Sequence, residues 1–244
     1  MNAAVFRSLL DVIFPRFCAG CGEKAGDEFA YLCWDCLAKI KLVQPPYCAL
    51  CGDPVSGVTP DVYSCAACVS QKPFFDCARS AASYSGLLKE MILDFKYGGA
   101  VWLAPDLGKL LYACLRQNYD TAKLDHITFV PLHRARERTR SYNQSFLLAR
   151  EIGGRLNRRV TKCLERIAHT ESQTHLTASE RAANVRGKFS IGKRMNLKDR
   201  NILVIDDVMT TGATVNECAR VLKNAGAHEV LVLTVARGIN GKES

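Results

Sequence analysis

The sequence predicts an α/β protein, a parallel sheet with helices on both faces, preceded by a small Cys-rich module. Three observations carry this. Eight of the twelve cysteines fall before residue 70, in four C-x-x-C pairs. Beyond about residue 73, short apolar segments alternate with helical-period segments, the rhythm of a parallel sheet with crossover helices. Near the C-terminal end, Ile202-Leu-Val-Ile205 runs into two acids, a Thr/Gly turn and a helix start. With 244 residues, 48% hydrophobic and 23% charged, the chain is long enough for a core and too apolar for general disorder. It contains no uninterrupted apolar run of the ~18–20 residues that a membrane span requires.

The pairs are Cys18/Cys21, Cys33/Cys36, Cys48/Cys51 and Cys65/Cys68, separated by 11, 11 and 13 residues. Two thiolates on a tight turn both point at one metal, and four complete a tetrahedron, so four pairs predict two structural Zn²⁺ sites. Sequential pairing puts Cys18, Cys21, Cys33 and Cys36 on one ion and Cys48, Cys51, Cys65 and Cys68 on the other. An interleaved cross-brace fits the same spacing. A disulfide framework would need an export signal. The start, MNAAVFRSLLDVIFPRF, has Arg7 and Asp11 in its apolar run and reads instead as an amphipathic helix ended by Pro15. Reduced, metal-bound thiols imply a cytoplasmic protein. Cys77, Cys114, Cys163 and Cys218 stand alone and read as small buried hydrophobes.

The module spans 1–72, with a linker around Ser70–Pro73, and the α/β unit spans 73–244. Within it we expect a strand at 77–84 and a helix from Leu87 to Phe95, stopped by Gly98-Gly99. A helix at 106–118 precedes a strand at Ile127–Leu132. A helix at Ser145–Leu156 and a strand at Val160–Leu164 come next. Residues 169–188 are polar and aperiodic. A buried strand at Asn201–Asp206, a helix from Ala213 to Ala225 capped near Gly226, and a strand at Glu229–Val235 complete the chain.

Ile202-Leu-Val-Ile-Asp-Asp-Val-Met-Thr-Thr-Gly-Ala-Thr214 carries the chemistry. A buried parallel strand delivers its carboxyl end to the sheet edge where ligands bind. Backbone N–H groups of the turn and the hydroxyls of Thr210, Thr211 and Thr214 can wrap a phosphate, favoured by the helix N-terminus, and Gly212 permits close approach. Asp206 and Asp207 only accept hydrogen bonds at neutral pH and suit vicinal ribose hydroxyls. A diol beside its own 5′-phosphate describes a ribose-5-phosphate. The string is not G-x-x-x-x-G-K-[ST], which argues against an ordinary ATPase.

This string resembles the phosphoribosyl-pyrophosphate (PRPP) loop of type I phosphoribosyltransferases. The resemblance implies that Asp206 and Asp207 hold the ribose hydroxyls, that Thr210, Thr211, Gly212, Ala213 and Thr214 hold the 5′-phosphate, and that Mg²⁺ enters with PRPP. Pro131-Leu-His-Arg-Ala-Arg-Glu-Arg-Thr-Arg-Ser-Tyr-Asn-Gln144 fits the pyrophosphate loop of that fold, with Arg134, Arg136, Arg138, Arg140, Asn143 and Gln144 as candidates. His169–Phe189, with Gln173, Thr174, Arg181, Asn184 and Arg186, fits the mobile loop that closes over substrate. Phe95-Lys-Tyr-Gly-Gly99 reads either as part of a hood over the site or as a plain helix stop. Catalytic candidates are Asp207 and Arg181; no strong general base is evident.

The order of these motifs after a cysteine-pair module resembles the ComF/GntX family of competence-associated phosphoribosyltransferase-like proteins across essentially the whole chain. Ser141 departs from the family's usual Gly in the arginine loop, where a strained backbone suits Gly better. The resemblance implies PRPP binding, with pentosyl transfer to an unread acceptor, and a role in natural transformation with single-stranded DNA and uptake-machinery partners. The alternatives are a metabolic transferase acting on a base or small amine, or a noncatalytic PRPP or nucleotide sensor with a role in gluconate or iron–sulfur metabolism. Charge supports the DNA reading. Residues 131–200 hold 17 Lys and Arg against 6 Asp and Glu, a net of +11, leaving −2 for the rest of a +9 chain. The aromatic residues Tyr142, Phe146 and Phe189 lie in the same region. The same arginines also suit a pyrophosphate alone.

Overall fold

The computed structural model describes residues 16–26, 28–55, 57, 62–168, 178–192 and 195–238. The expected N-terminal helix, Gln173 and Thr174 lie outside the described residues. So does the side chain of Arg181.

Residues 16–70 form two copies of one unit, offset by about thirty positions. In each, a knuckle closes through Gly22 N–H to Cys18 O, repeated as Gly52 N–H to Cys48 O, both 2.9 Å. Phe17 bridges Lys24 as Tyr47 bridges Pro54. The second C-x-x-C of each unit opens a one-turn helix, α1 (Trp34–Ala38) and α2 (Ala66–Ser70). Gly52 is required twice over. Its φ is +67°, and a Cβ there would stand 2.7 Å from the carbonyl oxygen of Ala78, where the knuckle presses on the sheet.

The sheet has the order β1-β6-β5-β2, with every neighbouring pair parallel: β1 (Cys77–Ser83), β2 (His126–Phe129), β5 (Asn201–Met209) and β6 (Glu229–Arg237). Alternation along β5 sorts its side chains. Leu203 and Ile205 join the core under helices α3 (Gly86–Tyr97), α4 (Ala104–Asn118) and α6 (Gln144–Leu156). Ile202 and Val204 face α8 (Ala213–Asn224) on the other side. Both faces are therefore covered, as the near-continuous apolar runs predict.

The Cys-rich units also cover an edge. Leu42 bridges Ala82 antiparallel, and Val43 N–H and Ser83 N–H bond across to Ala81 and Lys41 carbonyls, so β1 is not left open. The first unit is pinned to α4 by Asp106, fully buried, whose carboxylate accepts from Ala30 N–H at 2.8 Å and Tyr31 N–H at 2.7 Å.

Three expectations change. The strand expected at Val160–Leu164 is a single parallel bridge from Val160 to Ile127; the strand proper, β3 (Leu164–Arg166), pairs antiparallel with β4 (Phe189–Ile191). The arginine loop contains a helix, α5 (Arg134–Arg140), with the His133 side chain accepting from Ala135 N–H at its start. The polar stretch 169–188 contains α7 (Ala178–Val185). Its alanines favour helix, and Val185 is buried at its end. Cys114, Cys163 and Cys218 are buried and Cys77 is half-buried, as expected of small apolar side chains. Among the described residues no helix is long and apolar enough to cross a membrane.

Candidate functional site

All four strands of the main sheet end at one edge, and the ends of β1, β2 and β5 with the chain leaving them line the cleft. Tyr84 follows β1, Val130 and Leu132 follow β2, and Asp206 to Val208 end β5. This is the carboxyl edge, where open α/β sheets take ligands. The cleft measures about 640 Å³, within the ~300–1,000 Å³ range of small-molecule sites.

Both acids sit on β5 itself rather than in the turn. Asp206 Oδ1 accepts from the Ser145 hydroxyl at 2.7 Å and from Asp207 N–H at 3.0 Å. Burial, and then the neighbouring Asp207 charge, push its carboxyl up to about 7, against the pull of Ser145 and Lys96. Asp207 Oδ1 pairs with Lys96 Nζ at 3.0 Å. Burial opposes the ammonium charge, but the Asp207 and Asp206 carboxylates outweigh it and raise the Lys96 pKa. Lys96 belongs to the Phe95-Lys-Tyr-Gly-Gly99 string, so that segment does reach the cleft.

Beyond Met209 the chain turns at Gly212, φ +77°, into α8. A Cβ at Gly212 would meet Met209 Cε at 2.8 Å. Residues 208–215 and Asp206 enclose a hollow of about 60 Å³ at the start of that twelve-residue helix. That is several times the ~10–15 Å³ a water needs. Thr210 and Thr214 line both this hollow and the main cleft, so a phosphate in one adjoins a sugar in the other.

The opposite wall is cationic. Helical spacing splits the four arginines of α5: Arg136 and Arg140, one turn apart, line the cleft, while Arg134 and Arg138 are exposed to solvent. Arg140 lies over the Tyr97 ring, 4.5 Å from its centroid. Arg166, on β3, joins them; burial, and then the Arg136 charge, lower its pKa. Four cations against two carboxylates make a cleft suited to a polyanion. Asn143 serves structure: its Oδ1 caps α6 at Phe146 N–H, 3.0 Å, and its Nδ2 donates to the Val130 carbonyl, 3.1 Å. Gln144 is 1% exposed, and its Nε2, beside the cleft, has no hydrogen-bond partner among the described residues. Ser141 has φ +64°, the left-handed conformation that the family's Gly suits. Asn184 and Arg186 sit on and after α7, which packs against α8, and do not line the cleft. Sequence reasoning missed Tyr84 and Arg166 as cleft residues; nothing local marks either.

The cysteines gather sequentially. Cys18, Cys21, Cys33 and Cys36 form one cluster and Cys48, Cys51, Cys65 and Cys68 the other, with all sulfurs in each within 4.8 Å of one another. The Cys21–Cys33 and Cys51–Cys65 sulfurs are 3.7 Å apart. The edge of a ZnS₄ tetrahedron with ~2.3 Å bonds is roughly 3.8 Å, so the donor set fits zinc. Burial raises the thiol pKa, yet backbone N–H groups led by Cys33 hold Cys18 at about 6, and those led by Cys51 hold Cys48 at about 7.

Residues 9–71 match the double zinc ribbon domain family, and residues 145–244 match the phosphoribosyl transferase domain family. The chain is 32% identical over 211 residues to Competence protein F of Haemophilus influenzae, covering 84% of this chain and 90% of that protein. The chain belongs to the competence protein F family. Another relative is DNA utilization protein YhgH of Escherichia coli O6:H1, 29% identical, covering 84% of this chain and 96% of that one. Among solved structures, an allosteric regulatory enzyme of purine biosynthesis matches at 19% identity and a TM-score of 0.38, over 58% of this chain and 29% of that one. For this family member, the motif-by-motif resemblance read from the sequence and the relatives point to the same group.

Proposed function

We propose that this protein binds PRPP with magnesium in the β5–α8 cleft and handles single-stranded DNA in natural transformation. The observation that carries the first half is the sequence of surfaces along one groove: a Thr/Gly hollow at a helix start, two carboxylates beside it, then Lys96, Arg136, Arg140 and Arg166. The 5′-phosphate takes the Thr210–Thr214 turn. The ribose hydroxyls donate to Asp206 and Asp207. The pyrophosphate faces Arg136, Arg140 and the open Nε2 of Gln144. The hard oxygens of Asp206 and Asp207 suit magnesium, which when bound would spread the charge between ribose and pyrophosphate. The two Cys₄ clusters each hold one zinc, and the division between the two units falls near residues 72–73.

Calorimetry tests this reading. PRPP–Mg²⁺ should release heat on binding wild type, and Asp206→Ala/Asp207→Ala should abolish it; no heat with wild type overturns the assignment. The family relationship and the exposed Arg134 and Arg138 support the DNA half. Affinity for single-stranded DNA should fall steeply with salt, and a flat salt dependence overturns it. A metabolic transferase would instead bind PRPP and ignore DNA.

A further inference from the structure

Arg237 ends β6 and is 3% exposed. Its side chain leaves the sheet for the second Cys cluster. Nε donates to Asp53 Oδ1 at 3.1 Å, Nη1 to the Cys51 carbonyl at 3.0 Å, and Nη2 to Cys51 Sγ at 3.7 Å. Its backbone lies between the ends of β1 and β5. Its carbonyl accepts from Tyr84 N–H at 2.7 Å, and it pairs in register with Met209, the last residue of β5. The next residue, Gly238, donates to the Met209 carbonyl at 2.9 Å and lies so close to the phosphate turn that a Cβ there would meet Thr210 Cγ2 at 2.9 Å. Two consecutive residues therefore join the sites: Arg237 touches a cysteine sulfur of the second cluster, and Gly238 lies against Thr210 at the start of the phosphate turn.

We propose that Arg237 makes the second zinc ion part of the phosphate site: metal at Cys48, Cys51, Cys65 and Cys68 keeps the Thr210–Thr214 turn in its binding geometry, while the first ion exchanges independently. Four thiolates around Zn²⁺ carry a net charge of about −2. A guanidinium donating to one sulfur offsets part of it and holds that ligand in place. When the metal leaves, a small ribbon loses its folding energy. The Cys51 carbonyl, the Cys51 sulfur and Asp53 then withdraw together, and a buried arginine is left without the groups that satisfied it. The end of β6 must move, and Gly238 and Tyr84 move with it. Among the described residues no arginine ties the first cluster to the turn in this way. That cluster's Cys21 is exposed, and its unit docks on α4 through Asp106 and on α3 where Gly20 meets Leu87. The inference rests on reading both clusters as zinc sites and the turn as a phosphate cradle.

The test uses the full-length, zinc-loaded protein and two readouts that need no PRPP. Zinc release to the chromogenic chelator 4-(2-pyridylazo)resorcinol should run in two phases differing at least tenfold, and Cys21→Ser should remove the fast one. In Arg237→Met the slow phase should accelerate at least tenfold from an unchanged content of two zinc ions. Hydrogen exchange of the segment 206–214 should be unaltered after the first ion leaves and should accelerate after the second leaves, while β2 stays protected. Arg237→Lys, which keeps the charge and loses the fork, should fall between wild type and Arg237→Met in both readouts. If Arg237→Met does not fold, stepwise metal removal from wild type decides alone. A single release phase in wild type, or exchange at 206–214 that ignores the second ion, overturns the proposal. Absence of PRPP heat would sink the reading of the cleft and leave these two results to stand or fall separately.

Discussion

Lys96 Nζ stands 3.0 Å from Asp207 Oδ1, joining α3 to the end of β5 across the cleft. Both side chains are mostly buried, so each charge depends on the other. Lys96→Met should destabilise the protein by about 1.5–3 kcal/mol, the worth of a hydrogen bond to a charged group. Adding Asp207→Asn should return part of the loss, because the carboxylate no longer needs a counter-ion. Urea unfolding of the two single variants and the double variant gives the coupling energy. Additive losses would show that the pair contributes nothing as a pair.

Asp206 predicts a pH dependence. Its carboxyl sits at about 7 in the fold, against 3.8 ordinarily, chiefly because it is buried. From about pH 4 to pH 7 the folded protein holds a proton that the unfolded chain has lost. Stability from this group is full below pH 4 and is lost as pH rises through 7. Asp206→Asn should flatten that slope and raise stability at pH 8 relative to wild type, measured by urea titration at several pH values. A ligand hydroxyl donates better to a carboxylate than to a carboxylic acid. PRPP affinity should therefore increase as pH rises through 7, and this increase should vanish in Asp206→Asn.

How much of this was legible in the sequence varies from residue to residue, for physical reasons. The Cys pairs and the acid–Thr–Gly string are local patterns whose chemistry acts over a few residues, so spacing alone displays them. Lys96 was visible only as a helix end with two readings, because its partner lies far along the chain and meets it through the crossover of a parallel sheet. Tyr84 and Arg166 acquire their roles from where strands end, which no neighbouring residue announces. The arginines between 134 and 140 read as one loop. As a helix they divide into two pairs, and Asn143, which looked like a ligand contact, is consumed as a cap.

That division gives a third prediction. Arg136→Ala and Arg140→Ala should each weaken PRPP binding about tenfold or more, since each removes a charged donor from the cleft wall. Arg134→Ala and Arg138→Ala should leave PRPP affinity within about twofold. On single-stranded DNA the pattern should differ: each exposed arginine that contacts phosphate reduces the slope of log K against log salt by roughly 0.7. Calorimetry and fluorescence anisotropy across a salt series separate the two. Equal effects of all four substitutions on PRPP would contradict the helical split.

Ser141 gives the fourth. It holds φ +64° at the end of α5, is exposed, and links two contacts that shape the cleft. On one side Arg140 stacks on Tyr97; on the other the Tyr142 hydroxyl donates to the Phe95 carbonyl at 2.6 Å. A left-handed residue with a Cβ costs about 1–2 kcal/mol, and glycine avoids that while losing about 0.5–1 kcal/mol in chain entropy. Ser141→Gly should therefore be stabilising by up to about 1 kcal/mol, a rise of roughly 2–4 °C in Tm for a domain of this size. A β-branched residue pays the strain in full, so Ser141→Val should lower Tm and, by shifting Arg140 and Tyr142 together, weaken PRPP binding. Thermal unfolding followed by circular dichroism, with calorimetry on the same samples, checks both. If Gly destabilises, the left-handed turn is not what the loop adopts in solution.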